Sequence, residues 1–241
     1  MFSLFKRDIS KSIRTEIYRS LRTNLQFLIK NKKLKKILVT SSENDDGKSE
    51  IISNLAISFS QAGKKTLVID CNLRRPYIHE VFNIANDVGI YDLIIDKLQY
   101  KEVIQKYSDT LHIITSGEVA INPAELLNEK NIFPVLEYLE SFYDIILIDS
   151  PPVVALADTQ ILSQVSDGVV MVLSIGKTKK KICKKAFQML NNVNANIIGI
   201  VVNEYAKGSG INYKKQYSYE RKRKKVNREK NFVQVNREYL L

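Results

Sequence analysis

Short apolar runs that end in an aspartate set the strongest limit on how this chain can fold. Residues 65–70 and 143–149 are apolar on both faces, as is typical of strands buried inside a parallel sheet. Amphipathic helical patterns separate most such runs, and this alternation predicts a doubly wound, mostly parallel α/β sheet covered by helices on both faces. Four further strand-like runs lie at residues 35–40, 111–115, 169–174 and 197–203.

Charge is distributed unevenly along the 241 residues, whose net charge is +11. Residues 1–36 hold 11 Lys and Arg against 2 Asp and Glu, residues 205–241 hold 11 against 3, and residues 37–204 hold 15 against 21. We therefore divide the chain into a basic N-terminal segment with a helix (1–36), an acidic sheet domain (37–204) and a flexible basic tail with tyrosines (205–241). Basic ends on an acidic body predict contact with something acidic and argue against a nucleic-acid domain that is basic throughout.

Several classes of protein are excluded by what the sequence lacks. No apolar run approaches the roughly 20 residues that a membrane-spanning helix needs, and the first residues hold charge without a long apolar stretch, unlike a secretory signal. The two cysteines, Cys71 and Cys183, are far apart, which favours a reducing cytoplasm and no disulfide framework.

The segment from Ser42 to Ser49 joins a predicted strand to a predicted helix and ends in Gly-Lys-Ser, the setting of a Walker A phosphate loop. Backbone N–H groups and the helix N-terminus would bind phosphates, Lys48 would neutralise the β and γ oxygens, and the Ser49 hydroxyl would bind Mg²⁺. The tripeptide alone fits a ligand-free strand–turn–helix connection equally well. The candidate ATP-binding residues are Ser42, Glu43, Asn44, Asp45, Asp46, Gly47, Lys48, Ser49 and Glu50.

Asp70 and Asp149 each follow an apolar strand directly. The carboxyl ends of parallel strands face the ligand crevice of an open α/β sheet, and a carboxylate placed there can hold Mg²⁺ directly or through water. Each aspartate alone could also be a helix cap or a turn residue. Together with the phosphate loop they predict one nucleotide site, with Lys48, Asp70 and Asp149 as its catalytic residues and Ser49, Asp70 and Asp149 around the metal.

Further motifs occur at residues 16–22 (Glu-x-x-Arg-x-x-Arg), 68–76, 122–127, 144–152 and 202–203. In combination they resemble the bacterial P-loop tyrosine kinases of capsule and exopolysaccharide operons, the CpsD/CapB type. The likeness runs from about Glu16 to Asn203 and implies a P-loop NTPase of the MinD/ParA-like type. It also implies an autokinase that uses ATP and Mg²⁺ and phosphorylates tyrosines in the tails of neighbouring subunits.

The same resemblance assigns roles to residues outside the phosphate loop. In the family, the Glu-x-x-Arg-x-x-Arg motif joins subunits into a ring, and relatives recognise adenine where Asn203 stands. Spacing alone places the three charges of the motif on one face of a helix. Without the family, a solvated face with internal ion pairs is the favoured interpretation of these charges. The oligomerisation residues are thus Glu16, Arg19 and Arg22, and the phosphoacceptors are Tyr213, Tyr217 and Tyr219.

Asn44 and Asp45 stand where the family usually has Pro-Gly. Three departures from the family pattern change the charge: Asp45 replaces the usual glycine, Glu50 replaces a threonine, and Asn72 replaces the second aspartate of the second Walker motif. A carboxylate 5 Å from a phosphate charge costs about 3 kcal/mol at an effective dielectric constant near 20, unless the side chain points to solvent. All three changes predict weaker catalysis, because phosphoryl transfer depends on positioning and charge neutralisation.

Three functions therefore stay open at the level of sequence. The first is a tyrosine autokinase that regulates capsular or exopolysaccharide synthesis and export. The second is a catalytically impaired scaffold of the same family that binds nucleotide weakly. The third is a partition- or cell-division-type ATPase, although such enzymes carry a lysine where Glu43 stands and lack a tyrosine-rich tail.

The expected partners follow from the resemblance and the charge pattern. The family docks on a transmembrane activator, a polysaccharide co-polymerase, so we expect a homo-oligomer held at the inner face of the cell membrane by such a partner. The basic ends also suit an anionic membrane surface. No nucleic-acid recognition motif accompanies the basic charge, so no specific nucleic acid is expected.

Overall fold

A seven-stranded sheet forms the centre of the computed structural model, which describes residues 9–95, 97–118 and 122–204. The strands are β1 Lys36–Ser41, β2 Thr66–Asp70, β3 Gln105–Lys106, β4 Leu111–Ile114, β5 Ile145–Asp149, β6 Gly168–Ile175 and β7 Ile197–Glu204. The helices are α1 Ile9–Lys32, α2 Lys48–Gln61, α3 Ile78–Phe82, α4 Ile90–Ile94, α5 Tyr100–Val103, α6 Pro123–Leu126, α7 Glu129–Glu140, α8 Asp158–Gln164 and α9 Lys180–Asn192.

The strand order is β3-β4-β2-β5-β1-β6-β7, and every neighbouring pair is parallel except β3 with β4. This confirms the predicted mostly parallel α/β sheet. The β2–β5 register pairs Asp70 with Asp149, and the β1–β5 register pairs Val39 with Asp149. The carboxyl ends of β1, β2 and β5 therefore meet at one edge of the sheet, where the sequence predicts the nucleotide site.

Side chains alternate between two apolar cores, one on each face of the sheet. On β5, Ile146 and Ile148 face the core formed with α7, α8 and α9, while Ile145 and Leu147 face the core formed with α1, α2 and α3. All of the residues of β1, β2 and β5 are buried. This two-sided burial explains why these strands read as nearly continuous apolar runs.

Helix α1 packs against α2 on the outer face of the domain. Ile17, Leu21 and Leu25 recur every four residues, a spacing that predicts one apolar helix stripe. Leu21 and Leu25 are buried in the core of that face, whereas Ile17 is 41% exposed. Arg22 donates a hydrogen bond of 2.8 Å to the backbone oxygen of Ser58 on α2. The basic N-terminal helix is thus attached to the sheet domain by apolar burial and by a polar contact.

Two regions differ from the sequence prediction. Asn122 followed by Pro123 is a cap and first-position proline that predict the start of a helix. The pair begins only the single turn α6, and the longer α7 starts at Glu129, where the Asn128 side chain accepts a hydrogen bond from Asn131. The sequence predicts a loosely structured region over residues 72–108. The structure instead has three short helices and the antiparallel edge strand β3 there. Elements of four or five residues have too few positions for a periodic pattern to be visible in sequence.

None of the described helices combines the length and apolarity needed to cross a membrane.

We expect Leu25→Ala to lower the free energy of unfolding by about 2–5 kcal/mol, because Leu25 is 1% exposed and its loss leaves a cavity between α1 and α2. Urea unfolding followed by circular dichroism measures the change. Phe27→Ala on the same helix is the matched control, since Phe27 is 69% exposed, and it should change stability by no more than about 0.5 kcal/mol. Equal effects of the two substitutions would contradict the packing of α1.

Candidate active site

The phosphate loop runs from the end of β1 to Lys48, the first residue of α2. Gly47 (φ 84°) and Asp45 (φ 59°) both adopt left-handed backbone conformations. Aspartate tolerates this conformation better than most residues, so the loop reverses direction although Asp45 replaces the usual glycine. The first N–H groups of α2 have no partner four residues earlier, and together with the helix dipole they make this helix end suited to an anion.

The acidic residues of the loop point in different directions. The side chain of Asp45 is 72% exposed and lies 3.9 Å from the Arg75 guanidinium, and Glu50 is also exposed. Asp46 is buried, and its carboxylate accepts a hydrogen bond from Glu43 N at 3.0 Å. Solvent screens an exposed carboxylate, so the repulsion predicted for Asp45 and Glu50 is much smaller than the 3 kcal/mol limit.

Asn203 on β7 contacts the phosphate loop directly. Its Nδ2 atom donates a hydrogen bond of 3.1 Å to the backbone oxygen of Asp46, and a Cβ atom at Gly47 would lie only 2.3 Å from Nδ2. A side chain at position 47 would therefore be disfavoured for two reasons: the backbone has positive φ, and the Asn203 amide would have to move away. The structure brings Asn203 to the loop; its role in recognising adenine stays a prediction.

Ser49, Asp149 and Lys48 come together at the centre of the site. Ser49 Oγ donates a hydrogen bond of 2.7 Å to Asp149 Oδ2, and the other carboxylate oxygen, Oδ1, is buried without a hydrogen-bond partner among the described residues. Burial raises the pKa of Asp149, while the charge of Lys48 and the hydrogen bond from Ser49 lower it. A buried, unpaired oxygen beside a hydroxyl fits a site for Mg²⁺, which would be held by Ser49 and Asp149.

Asp70 lies beside Asp149 at the same sheet edge, and both of its oxygens accept backbone hydrogen bonds. The donors are Asn72 N, Tyr77 N and Ile78 N, each at 3.0 Å. Burial raises the pKa of Asp70, and the nearby negative charge of Asp149 raises it further. Asp70 therefore also orders the loop after β2, a role that sequence alone does not reveal.

The residues after Asp70 are held by contacts within the chain. The Asn72 amide donates a hydrogen bond of 2.7 Å to the backbone oxygen of Arg75, so this departure from the family pattern has a structural function in the turn. Arg74 pairs with Asp158 through a 3.0 Å contact from Nε, and Asp158 is 1% exposed. Sequence analysis missed Asp158, because its partner Arg74 lies 84 positions away and Asp158 itself belongs to no local pattern.

The predicted oligomerisation residues do not share one environment. Arg19 pairs with Glu16 at 2.5 Å, and both side chains are more than half exposed. Arg22 is partly buried against Ser58 instead, which the prediction of a single charged face did not foresee. The predicted phosphoacceptors Tyr213, Tyr217 and Tyr219 lie outside the described residues.

Comparisons with known proteins decide the family. A family model described as an AAA domain matches residues 34–200. The tyrosine-protein kinase YwqD of Bacillus subtilis is 36% identical over 210 residues, which is 87% of each chain. The kinase domain of the Escherichia coli tyrosine kinase ETK superposes with a TM-score of 0.76 and 30% identity, over 79% of this chain and 75% of that one. This chain belongs to the bacterial tyrosine kinases (BY-kinases).

The crystal structure of the chimerical protein CapA2B2 is also similar, with a TM-score of 0.74 and 32% identity over 78% of this chain and 83% of that one. The cell-division protein MinD of Pyrococcus horikoshii, solved with Mg-ADP, has a TM-score of 0.62 at 19% identity over 73% of this chain and 72% of that one, which shows a shared fold alone. The chain is a protein-tyrosine kinase on a MinD-like P-loop fold, and the partition-type ATPase hypothesis has no support beyond that fold.

We expect Gly47→Ala to destabilise the protein more than Gly63→Ala. Both glycines have positive φ, 84° and 75°, but only Gly47 faces an atom that a Cβ would strike, since nothing lies within 4 Å of a Cβ at Gly63. Gly63→Ala should cost about 1–2 kcal/mol from backbone strain. Adding Asn203→Ala to Gly47→Ala should recover the excess in urea unfolding; no recovery would contradict the close contact.

Without nucleotide and Mg²⁺, Asp149→Asn should gain stability relative to the wild type as pH rises. The pKa of Asp149 is 3.8 unperturbed and is raised in the folded state. The folded protein therefore binds more protons than the unfolded chain above about pH 4, and the contribution of Asp149 to the free energy of unfolding falls as pH rises through the folded-state pKa. Asparagine does not titrate, so this loss disappears.

Urea unfolding of both proteins between about pH 4 and pH 8 measures the difference. Asp109→Asn is the control, because Asp109 is exposed. A stability difference between Asp149→Asn and the wild type that stays constant over this range would show that burial does not raise the pKa of Asp149.

Proposed function

We propose that this BY-kinase transfers the γ-phosphoryl group of ATP to tyrosines in the tails of neighbouring copies, and thereby regulates capsular or exopolysaccharide synthesis and export. The observation that carries the proposal is the Ser49–Asp149 pair beside Lys48 at the N-terminus of α2, in which one buried carboxylate oxygen has no hydrogen-bond partner within the described part of the chain. This arrangement combines anion binding, a metal ligand and a buried cation within one sheet edge. The link to polysaccharide rests on the motifs that the chain shares with the family.

Each residue of the site has a defined task in this reaction. The loop N–H groups and Lys48 bind and neutralise the β and γ phosphate oxygens, and Ser49 and Asp149 hold Mg²⁺. When bound, Mg²⁺ neutralises charge on the phosphate oxygens and aligns them for displacement. These residues keep the γ-phosphorus in place for attack by a hydroxyl group.

Asp70 is the group that accepts the proton of the incoming tyrosine. The tyrosine oxygen forms a bond to the γ-phosphorus, the bond from that phosphorus to the bridging oxygen of ADP breaks, and the phenolic proton passes to the Asp70 carboxylate. A raised pKa makes Asp70 a better proton acceptor than an ordinary aspartate. The three backbone hydrogen bonds orient its carboxylate.

The acceptor tyrosines are Tyr213, Tyr217 and Tyr219. Five of the twelve tyrosines of the chain fall within residues 205–241, beside a run of basic residues. Modification between subunits requires an oligomer, which we propose to be a ring. The exposed pair Glu16 and Arg19 would contact the neighbouring subunit, while Arg22 holds α1 against α2 in a fixed orientation.

The protein would act in the cytoplasm, at the inner face of the membrane, through a transmembrane activator of the polysaccharide co-polymerase type. Similarity to the CapA2B2 chimera, whose name joins two components, supports a partner of this kind. The net positive charge at both ends of the chain would add attraction to an anionic membrane surface.

A catalytically impaired scaffold is the second candidate. Asn72 stands in place of an aspartate, and its amide is occupied by the backbone oxygen of Arg75. A site that lacks this second acid has one metal ligand or proton acceptor fewer. Such a scaffold would bind Mg-ADP without producing phosphotyrosine.

Incubation of the purified chain with Mg-ATP, followed by tryptic mapping, tests the proposal. Trypsin separates Tyr213 on peptide 208–214 from Tyr217 and Tyr219 on peptide 216–221. Lys48→Met should reduce phosphotyrosine on both peptides by about 100-fold or more, because it removes the cation that faces the phosphates. The matched control is Lys64→Met, whose side chain is 49% exposed.

Asp149→Ala should reduce phosphotyrosine as strongly as Lys48→Met does. Equal modification of Asp149→Ala and the wild type would remove Asp149 from the mechanism. Saturable binding of Mg-ADP by the wild type, with no phosphotyrosine on either peptide, would favour the scaffold.

A further inference from the structure

Asp46 is a carboxylate buried inside the phosphate loop, where its charge would repel a phosphate if it faced the ligand. It is 1% exposed, and its Oδ2 atom accepts hydrogen bonds from Glu43 N at 3.0 Å and from Ser42 Oγ at 3.2 Å. Both donors belong to the loop itself. The side chain therefore closes a small ring across residues 42–46 and sets the curvature of the loop.

The other carboxylate oxygen of Asp46 binds a distant part of the chain. Oδ1 accepts a hydrogen bond of 3.1 Å from Thr178 Oγ1 and lies 3.9 Å from Lys177 Nζ, in the turn between β6 and α9. Lys177 Nζ also donates a 2.5 Å hydrogen bond to the backbone oxygen of Asn44. Two residues of this turn thus hold two residues of the phosphate loop.

These contacts are interdependent for an electrostatic reason. A buried carboxylate is costly unless it is paired and hydrogen-bonded, and here four donor groups from Ser42, Glu43, Lys177 and Thr178 surround it. The Oδ2 atom of Asp46 accepts hydrogen bonds from the loop, and the Oδ1 atom contacts the β6–α9 turn. Loss of the turn contacts would therefore leave Oδ1 without these partners. The carboxylate would then be free to turn toward other positive groups, among them the N–H groups that should receive phosphate.

We propose that Asp46 is a positioning residue that holds the phosphate loop in its anion-binding shape, and that Lys177 and Thr178 anchor it. The proposal rests on the nucleotide site described above and extends it to the β6–α9 turn. The negative charge of Asp46 suggests that it would repel phosphate. In this proposal the carboxylate instead orders the loop, and Lys177 offsets its charge. Nucleotide affinity should therefore depend on a turn that holds none of the residues assigned to phosphate or metal.

Binding of Mg-ADP, measured by isothermal titration calorimetry, is the main test, with urea unfolding measured on the same variants. Hydrogen bonds to a charged group are worth enough to change an equilibrium roughly tenfold or more. Thr178→Val removes the hydroxyl at nearly constant volume and should weaken Mg-ADP binding by about tenfold. Thr178→Ser keeps the hydroxyl and should restore the affinity.

Lys177→Met should also weaken Mg-ADP binding by about tenfold, and Lys179→Met is its matched control two residues along, at an exposed position. If Lys177 acts through Asp46, the double variant Asp46→Ala/Lys177→Met should bind no more weakly than Asp46→Ala alone. Additive losses would mean that Lys177 acts independently of Asp46, through the Asn44 oxygen or on phosphate itself, and they would overturn its assignment as an anchor of Asp46.

Kinetics separate positioning from simple destabilisation. In the tyrosine phosphorylation assay, Asp46→Ala should raise the KM for ATP about tenfold and leave kcat within about threefold, because bound ATP can itself order the loop. A loss of folded protein would instead lower kcat at unchanged KM. If Thr178→Val and Asp46→Ala lower only the free energy of unfolding and leave Mg-ADP affinity unchanged, the proposal is wrong.

The two proposals fail in different ways. A wild-type protein that binds Mg-ADP but forms no phosphotyrosine refutes the kinase proposal, and the calorimetric comparison of the Thr178 and Lys177 variants still tests the anchor. A wild-type protein that binds no Mg-ADP refutes both.

Discussion

Two aspartates buried side by side at the carboxyl edge of a parallel sheet are the constraint on which this structure depends. Asp70 and Asp149 pair in register on neighbouring strands, so a parallel sheet with this order cannot separate them. Burial makes their charged forms unfavourable, and the structure offsets this with Lys48, the Ser49 hydroxyl and several backbone N–H groups. Of these groups, Lys48 and Ser49, which offset the charge of Asp149, are also the ones that would hold a phosphate and a metal.

The phosphate loop shows how an acidic sequence can still form an anion site. Two adjacent aspartates look unfavourable in sequence, but the backbone places one in solvent and the other inside the loop. The positive φ at Asp45 causes this separation, because it turns successive side chains in different directions. Net charge along a segment is therefore a poor guide to the charge that a ligand meets.

The first helix connects the site to an exposed surface that would face neighbouring subunits in the proposed ring. Apolar burial of Leu21 and Leu25 and the hydrogen bond from Arg22 attach α1 to α2, whose N-terminus lies under the phosphate loop. Helix α2 therefore lies between the exposed residues of α1 and the phosphate loop. In the proposed ring, a contact between subunits through α1 would be linked to the nucleotide site by this single helix.

Sequence alone determined the sheet, its mostly parallel character, the phosphate loop and the two strand-end aspartates, because two-sided burial and local backbone geometry leave periodic, contiguous patterns. Short elements such as β3 and α6 escaped, since a few residues hold no period. Only the tertiary structure decided that Asp46 meets Lys177 and Thr178, that Asn203 covers Gly47 and that Arg74 meets Asp158. Such pairs join residues 84 to 157 positions apart, and contacts of that range arise from how strands and turns assemble, which no local pattern records.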